Sequence, residues 1–282
     1  MTMKTTLNCN GKLLDLSTAC VMGIINSTPD SFYEPSRQAT IETALLKAEQ
    51  MLLDGAAILD IGGMSTRPGA ELLDAQTEQK RILPLIKSLA ARFPEAIISV
   101  DTVYATTAQA AVNAGAGIIN DISAGKFDEQ LLPTVAQLHT PYVLMHLQGT
   151  PQTMQQNPKY PKGVVPEVVQ FMADKLANLR LLGIHDVIID PGFGFGKTTE
   201  HNYQLLKGLP TLQILGMPIM VGISRKGMIW RTLNITAQQA LNGTTIAHTI
   251  ALLNGAKLLR THNVKEAIEA IKLVELYQHT AN

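Results

Sequence analysis

Eight short apolar runs recur along this chain of 282 residues and alternate with longer helical patterns. The runs are VMGII (21–25), AAILDI (56–61), AIISV (96–100), GIIN (117–120), YVLM (142–145), VIID (187–190), PIMVGI (218–223) and AKLL (256–259). Each is rich in Val, Ile or Leu and too short for a helix, which suits parallel strands buried on both faces. Between them, Ile41, Ala44, Leu45, Ala48, Met51 and Leu52 recur at helical spacing, with Gly55 as a stop. Val165, Val168, Met172, Leu176 and Leu179 repeat the pattern, with Gly183 after them, and 245–253 is almost wholly apolar. Strand starts lie roughly 20–45 residues apart, as a strand–helix repeat requires. Eight such units predict an α/β fold, a (β/α)8 TIM barrel rather than an open doubly wound sheet. No linker-like shift in composition appears, so a single domain over 1–282 is expected. Residues 1–20 precede the repeat as an N-terminal extension. Asn10-Gly11 between apolar flanks signals a hairpin there, placed to cover the barrel bottom.

Charge excludes several partners. The chain has 23 basic and 23 acidic residues and no polybasic run, which argues against nucleic acid or an anionic membrane surface. No apolar run approaches ~18 residues, so no membrane span is expected. Its two cysteines, Cys9 and Cys20, read as reduced thiols of a cytoplasmic protein.

The ends of the runs carry the chemistry. They lead into Asn26-Ser27-Thr28-Pro29-Asp30, Ser65-Thr66-Arg67-Pro68, Asp101-Thr102, Asn120-Asp121, His146, Asp190-Pro191-Gly192, Ser224-Arg225-Lys226 and Arg260-Thr261-His262. In a barrel these positions converge on the C-terminal mouth, where barrel enzymes keep their active sites. Asp101 and Asp190 are acceptors suited to a ring N–H beside an exocyclic amine. Asn120 both donates and accepts. Arg67, Arg260 and His262 suit an anion of more than one charge. Asn26 offers a hard oxygen, and Mg²⁺ binds through one or two protein oxygens plus substrate phosphates. A polar heterocycle and a phosphorylated group are the expected ligands.

Plainer readings stand beside these. Asp101 and Asp190 would merely cap helices, Lys226 would be a solvated residue of a first helical turn, and Asp60 and Asp121 are weaker site candidates. Arg225 reads as an outward structural partner, His146 as a satisfied core histidine and Trp230 as helix packing. The other histidines show no metal-ligand spacing. The stretch IIDPGFGFGKT (188–198) ends like a phosphate-binding loop, but Pro191 occupies the place of that loop's first glycine.

Taken in order, INSTPDSF, DIGGMSTRPGA, SVDT, IINDIS, VLMHLQGTP, IIDPGFGF, GISRK and RTH closely resemble the dihydropteroate synthase family over residues 20 to 270. The resemblance implies a (β/α)8 barrel that joins para-aminobenzoate to hydroxymethyl-dihydropterin diphosphate, releases diphosphate, uses Mg²⁺ and forms a homodimer. It implies a pterin pocket of Asp101, Asn120, Asp190 and Lys226 with Met145 and Phe195 as walls. Asn26 would hold the metal. Asn26, Thr66, Arg67, Arg260, Thr261 and His262 would engage diphosphate. Phe32, Thr66, Pro68, Phe195, Ser224 and Lys226 would surround para-aminobenzoate. Asp101, Lys226 and Arg67 would carry the catalytic roles. IIDPGFGFGKT then reads as pterin floor and aryl wall. Two positions depart from the family pattern. Tyr33-Glu34-Pro35-Ser36 replaces a glycine-rich loop end, and Met64 stands where glutamate is common. A folate-binding methyltransferase would share the pterin pocket but has no use for Ser-Thr-Arg-Pro, Ser-Arg-Lys and Arg-x-His together. A non-catalytic pterin binder is the remaining alternative.

Overall fold

The computed structural model describes residues 5–26, 34–64 and 72–280, with the backbone alone over 34–40. At the N-terminus, β1 (Thr6–Cys9) and β2 (Lys12–Asp15) pair antiparallel as the hairpin signal predicts. Asn10 and Gly11 take φ values of 54° and 86°, the two left-handed residues that a tight primed turn needs.

Eight parallel strands follow, one at each apolar run. They are β3 (Cys20–Asn26), β4 (Ile58–Gly62), β5 (Ile97–Asp101), β6 (Ile118–Asp121), β7 (Tyr142–Met145), β8 (Val187–Asp190), β9 (Met220–Val221) and β10 (Leu258–Thr261). Neighbours pair in the order β8-β7-β6-β5-β4-β3-β10-β9. A parallel bridge from Ile189 to Ile219 then joins β8 back to β9, so the sheet comes round as a (β/α)8 barrel. The run PIMVGI is the one that yields least strand. Pro218 has no N–H to give a ladder, and a turn from Ile223 to Lys226 draws the chain out of the sheet.

Helices follow the strands: α1 (Glu34–Leu53), α2 (Ala75–Arg92), α3 (Ala105–Asn113), α4 (Leu131–Leu138), α5 (Val164–Leu181), α6 (Thr199–Lys207), α7 (Leu209–Leu212), α8 (Gly227–Thr232), α9 (Leu241–Leu253) and α10 (Val264–His279). Glu34-Pro35-Ser36, expected at the end of the first loop, lie instead in the first turn of α1. Proline is tolerated there because first-turn amides have no partner within the helix.

Period-two alternation divides each strand between two cores. Outward residues such as Val21, Leu59, Ile98, Ile119, Leu144, Ile189 and Leu259 pack under the helices. Inward, Met22, Ile58, Ile97, Ile118, Val143, Ile188, Met220 and Leu258 form one layer, with one residue from each barrel strand. Leu7, Cys9, Leu14 and Leu16 of the hairpin segment close that layer from below. Fully burying such a side chain stabilises by roughly 1.5–3 kcal/mol. The hairpin is therefore the floor of the barrel, and the chemistry must lie at the other end.

Candidate active site

The same alternation builds the site. Asp60, Asn120, Met145, Asp190 and Arg260 each lie two residues beyond the floor residue of their own strand, and Asp101 and Asn26 lie four beyond. All seven therefore point toward the barrel axis or its mouth. Small residues keep the space between them open. A side chain at Gly62 would start 3.6 Å from both Asn26 Oδ1 and Asp101 Cβ. One at Gly222 would start 3.9 Å from Asp190 Oδ2 and 4.0 Å from Lys226 Nζ.

Arg260 organises one half of the chamber. Its Nε donates to Asp60 Oδ2 and its Nη2 to Asp101 Oδ2, both at 2.7 Å. Asn120 Nδ2 donates to the same Asp60 oxygen at 3.2 Å. Burial alone would lower the Arg260 guanidinium, but Asp60 and Asp101 outweigh it and hold it firmly protonated. Burial pushes Asp101 upward, with Arg260 pulling against it and the nearby carboxylates of Asp60 and Glu78 adding to the rise. One guanidinium thus serves two carboxylates, and this half of the chamber is poised to receive positive charge. Nη1 of the same fork takes no part in these two bonds.

Asp190 and Lys226 organise the other half. Gly192 N–H donates to Asp190 Oδ1 at 2.8 Å, which fixes the carboxylate plane, and the second oxygen faces Gly222. Lys226 stands at the N-terminus of α8, but its ammonium turns inward. It donates to Phe193 O and lies 4.6 Å from the centre of the Phe195 ring. Burial lowers Lys226 to about 8 and raises Asp190, and each opposes the shift of the other. Neither aspartate caps a helix and Lys226 is not a solvated surface lysine, so the plainer readings do not hold.

Apolar walls close the chamber. Met145 and Phe195 pack with Met64, Val103, Ile122, Leu147 and Met154 in one buried cluster. Met64, where glutamate was the expected residue type, thus serves as wall. Ser224 Oγ lies 3.1 Å from His262 Nδ1 and accepts from Thr261 Oγ1 at 3.2 Å. Thr261, an expected diphosphate contact, turns its side chain away from the chamber. It is fully buried on the outward face of β10, and its hydroxyl also accepts from Asn263 N–H at 3.1 Å. Its hydroxyl supports Ser224. Arg225 is a structural partner, as expected, with bonds to Asn263 Oδ1 and the carbonyls of Ala237 and Gln238. His146 is buried edge-on against Phe171, as a core histidine should be.

Phe32, Thr66, Arg67 and Pro68 lie outside the described residues. Asn26, exposed at the end of β3, stands at the rim from which the first of those loops departs. Sequence reasoning underweighted Asp60 and gave no role to Glu78 or Lys197. Glu78, on α2, is wholly buried behind β5 and accepts from Thr102 Oγ1 at 2.6 Å. Period-two spacing from Ile58 was the signal for Asp60.

A closed barrel with a carboxylate-rich mouth, two inward cations and an aromatic wall defines a class of enzymes that hold a flat nitrogen heterocycle. The family model for pterin binding enzymes matches residues 22–262, and the chain belongs to that family. Among curated relatives, the dihydropteroate synthase of Escherichia coli strain K12 is 41% identical over 271 residues, 95% of each chain. Among solved structures, the Yersinia pestis dihydropteroate synthase in a sulfonamide drug complex is 40% identical with a TM-score of 0.91, covering 98% of this chain and 100% of that one. Xanthomonas albilineans dihydropteroate synthase with 4-aminobenzoic acid is 38% identical with a TM-score of 0.90, covering 98% of this chain and 99% of that one.

Proposed function

We infer that this barrel condenses para-aminobenzoate with 6-hydroxymethyl-7,8-dihydropterin diphosphate, giving 7,8-dihydropteroate and diphosphate. It is a transferase of folate biosynthesis. The observation that carries the reading is the placement of Asp190 and Lys226 together at the open space beside Gly222, with Asp101 and Asn120 completing the polar rim. Asp190 accepts from the amino-pyrimidine edge of the pterin, Asn120 meets its remaining donors and acceptors, and Met145 and Phe195 cover its faces. Para-aminobenzoate lies against Phe195 beside Lys226 and Ser224, and Phe32, Thr66 and Pro68 belong to the same proposed pocket.

The reaction needs little acid–base help. The bond between the pterin methylene and the diphosphate oxygen breaks, and the electron pair leaves with diphosphate. The dihydropterin delocalises the positive charge, and the carboxylates of Asp101 and Asp60, sharing one guanidinium, favour it electrostatically. The neutral aniline nitrogen then attacks and loses its proton, so no strong general base is required. Arg67, the open part of the Arg260 fork and His262 are the proposed diphosphate contacts.

A magnesium ion fits the donor set. No group of three His, Cys, Asp or Glu able to cage a metal occurs among the described residues, so an ion would need substrate oxygens. Asn26 at the rim offers one hard oxygen, which suits Mg²⁺ bound mostly through water and phosphate. When bound, Mg²⁺ neutralises charge on the leaving diphosphate.

A homodimer in the cytoplasm is part of the same proposal. Helices α9 and α10 pack together, and each exposes an apolar stripe, Ile246, Ile250 and Leu253 on one and Leu273, Leu276 and Tyr277 on the other. Among the described residues, no helix is long and apolar enough to cross a membrane. The decisive assay supplies both substrates with Mg²⁺ and follows dihydropteroate and diphosphate together. Equimolar release is expected, and release of diphosphate without dihydropteroate would overturn the reading.

A further inference from the structure

Lys197 belongs to the Gly-Lys-Thr ending that imitates a phosphate loop, yet it is only 2% exposed and reaches no solvent. Its ammonium lies 2.9 Å from Gly192 O, 3.1 Å from Phe195 O and 2.9 Å from His146 Nδ1. A lysine ammonium has three protons, and these are three acceptors. A neutral amine would leave one of them without a donor. While Lys197 is charged the arrangement also sets the histidine, because Nδ1 then accepts and the ring proton sits on Nε2. Burial lowers Lys197 from 10.5 to about 7, with the field of Asp190 pulling the other way and Lys226 adding to the fall, so the ammonium is fully charged only below that pH.

The three acceptors bracket the site loop. Gly192 also donates to Asp190, Phe193 O receives Lys226, and the Phe195 ring lies under the same ammonium. The loop is pressed against the end of β7, since a side chain at Gly192 would start 1.9 Å from His146 O. Its outer polar groups are held as well. Gly194 N–H donates to Asn202 Oδ1 at 2.7 Å, and Gly194 O accepts from Gln155 Nε2 at 2.6 Å.

We propose that Lys197 is a positioning residue. From inside the barrel wall it clamps the 192–195 loop, so that the Asp190 carboxylate, the Lys226 ammonium and the Phe195 ring keep the spacing that both substrates require. The inference rests on the reading of Asp190 as the pterin acceptor, and it adds a residue that touches no ligand. Lys197 does not act on the diphosphate side, because Arg260 and His262 are held by other elements.

The test compares native protein with Lys197→Met by calorimetry, using a pterin without diphosphate as one probe and inorganic diphosphate as the other. Pterin affinity is expected to fall at least tenfold while diphosphate affinity changes less than twofold. Nitrogen NMR of His146 is the second readout. The native ring should hold the Nε2–H tautomer between pH 5 and 6, where the ammonium is charged, and the variant should lose that preference. A folded variant that binds pterin within threefold of native, or that loses both probes equally, overturns the proposal. Should Lys197→Met not fold, an Nδ1–H tautomer in the native protein overturns it directly. A native protein that binds no pterin would instead break the Asp190 reading, and the tautomer measurement would still decide the clamp.

Discussion

Asp190 has one oxygen already committed to the Gly192 N–H. Asp190→Asn keeps an acceptor for that bond but presents an NH₂ to the pterin amine. A charge-assisted hydrogen bond is worth roughly 1.5–3 kcal/mol, so the pterin should bind about 10- to 150-fold more weakly. Calorimetry with a pterin analogue checks this, and a change under threefold would contradict the assignment. Much of this scale was legible in advance, because polar residues at strand ends stand out against apolar runs. Asp60 was underweighted because it sits inside its run, where the eye expects core. Thr261 shows the opposite limit, since it ends a strand but points outward, which its place in the sequence does not reveal. Lys197 was beyond reach, because two of its three partners are backbone carbonyls, which leave no mark in a sequence.

The loop after β8 shows what an element demands of its glycines. Gly192 has φ +72°, and a Cβ there would lie 1.9 Å from His146 O. Gly183, after α5, has φ +81° with nothing within 4 Å. Gly183→Ala should therefore carry only the left-handed penalty, about 1–2 kcal/mol. Gly192→Ala must also move backbone, and it should lose more stability than that and abolish pterin binding. Urea unfolding of both variants measures the difference, and equal losses would refute it. Element boundaries were less legible than element identity. The short β9 follows from Pro218 and the turn at Ile223, and α1 starts earlier than its apolar spacing indicates.

A second prediction at this scale concerns the contact of α2 with β5. Burial pushes the Glu78 carboxyl from 4.5 to about 7, with the Thr102 hydrogen bond pulling the other way. The unfolded chain releases this proton near pH 4.5 and the native chain only near 7, so the native state binds more protons across that window. Stability should therefore be fullest below about pH 4.5, fall as pH rises through about 7, and level off above. Glu78→Gln keeps an acceptor for Thr102 and removes the titration. It should lack this slope and exceed native stability at pH 8 by on the order of 2–4 kcal/mol. Denaturant unfolding at pH 5 and pH 8 decides it, and parallel pH profiles would rule it out.

For the whole molecule, the exposed stripes of α9 and α10 are the surface on which a second copy is expected to sit. Ile250→Glu combined with Leu276→Lys should shift the protein from dimer to monomer in sedimentation. A double variant that sediments like native would exclude this face. The barrel itself was legible from eight evenly recurring runs, since no other common architecture absorbs so many buried parallel strands. The surface stripe was not, because a buried and an exposed apolar helix face read alike along a chain.

The floor layer has a consequence for synthesis. Leu7, Leu14 and Leu16 leave the ribosome before any barrel strand, yet the layer they seal includes Leu258, from the last barrel strand to leave it. Contacts of such long sequence separation form late and slowly. The opening segment must therefore wait, with its apolar side chains uncovered, while nearly the whole barrel is made above it. The hairpin is the last part of the barrel to find its place, and the newborn chain is most exposed to self-association just before β10 emerges.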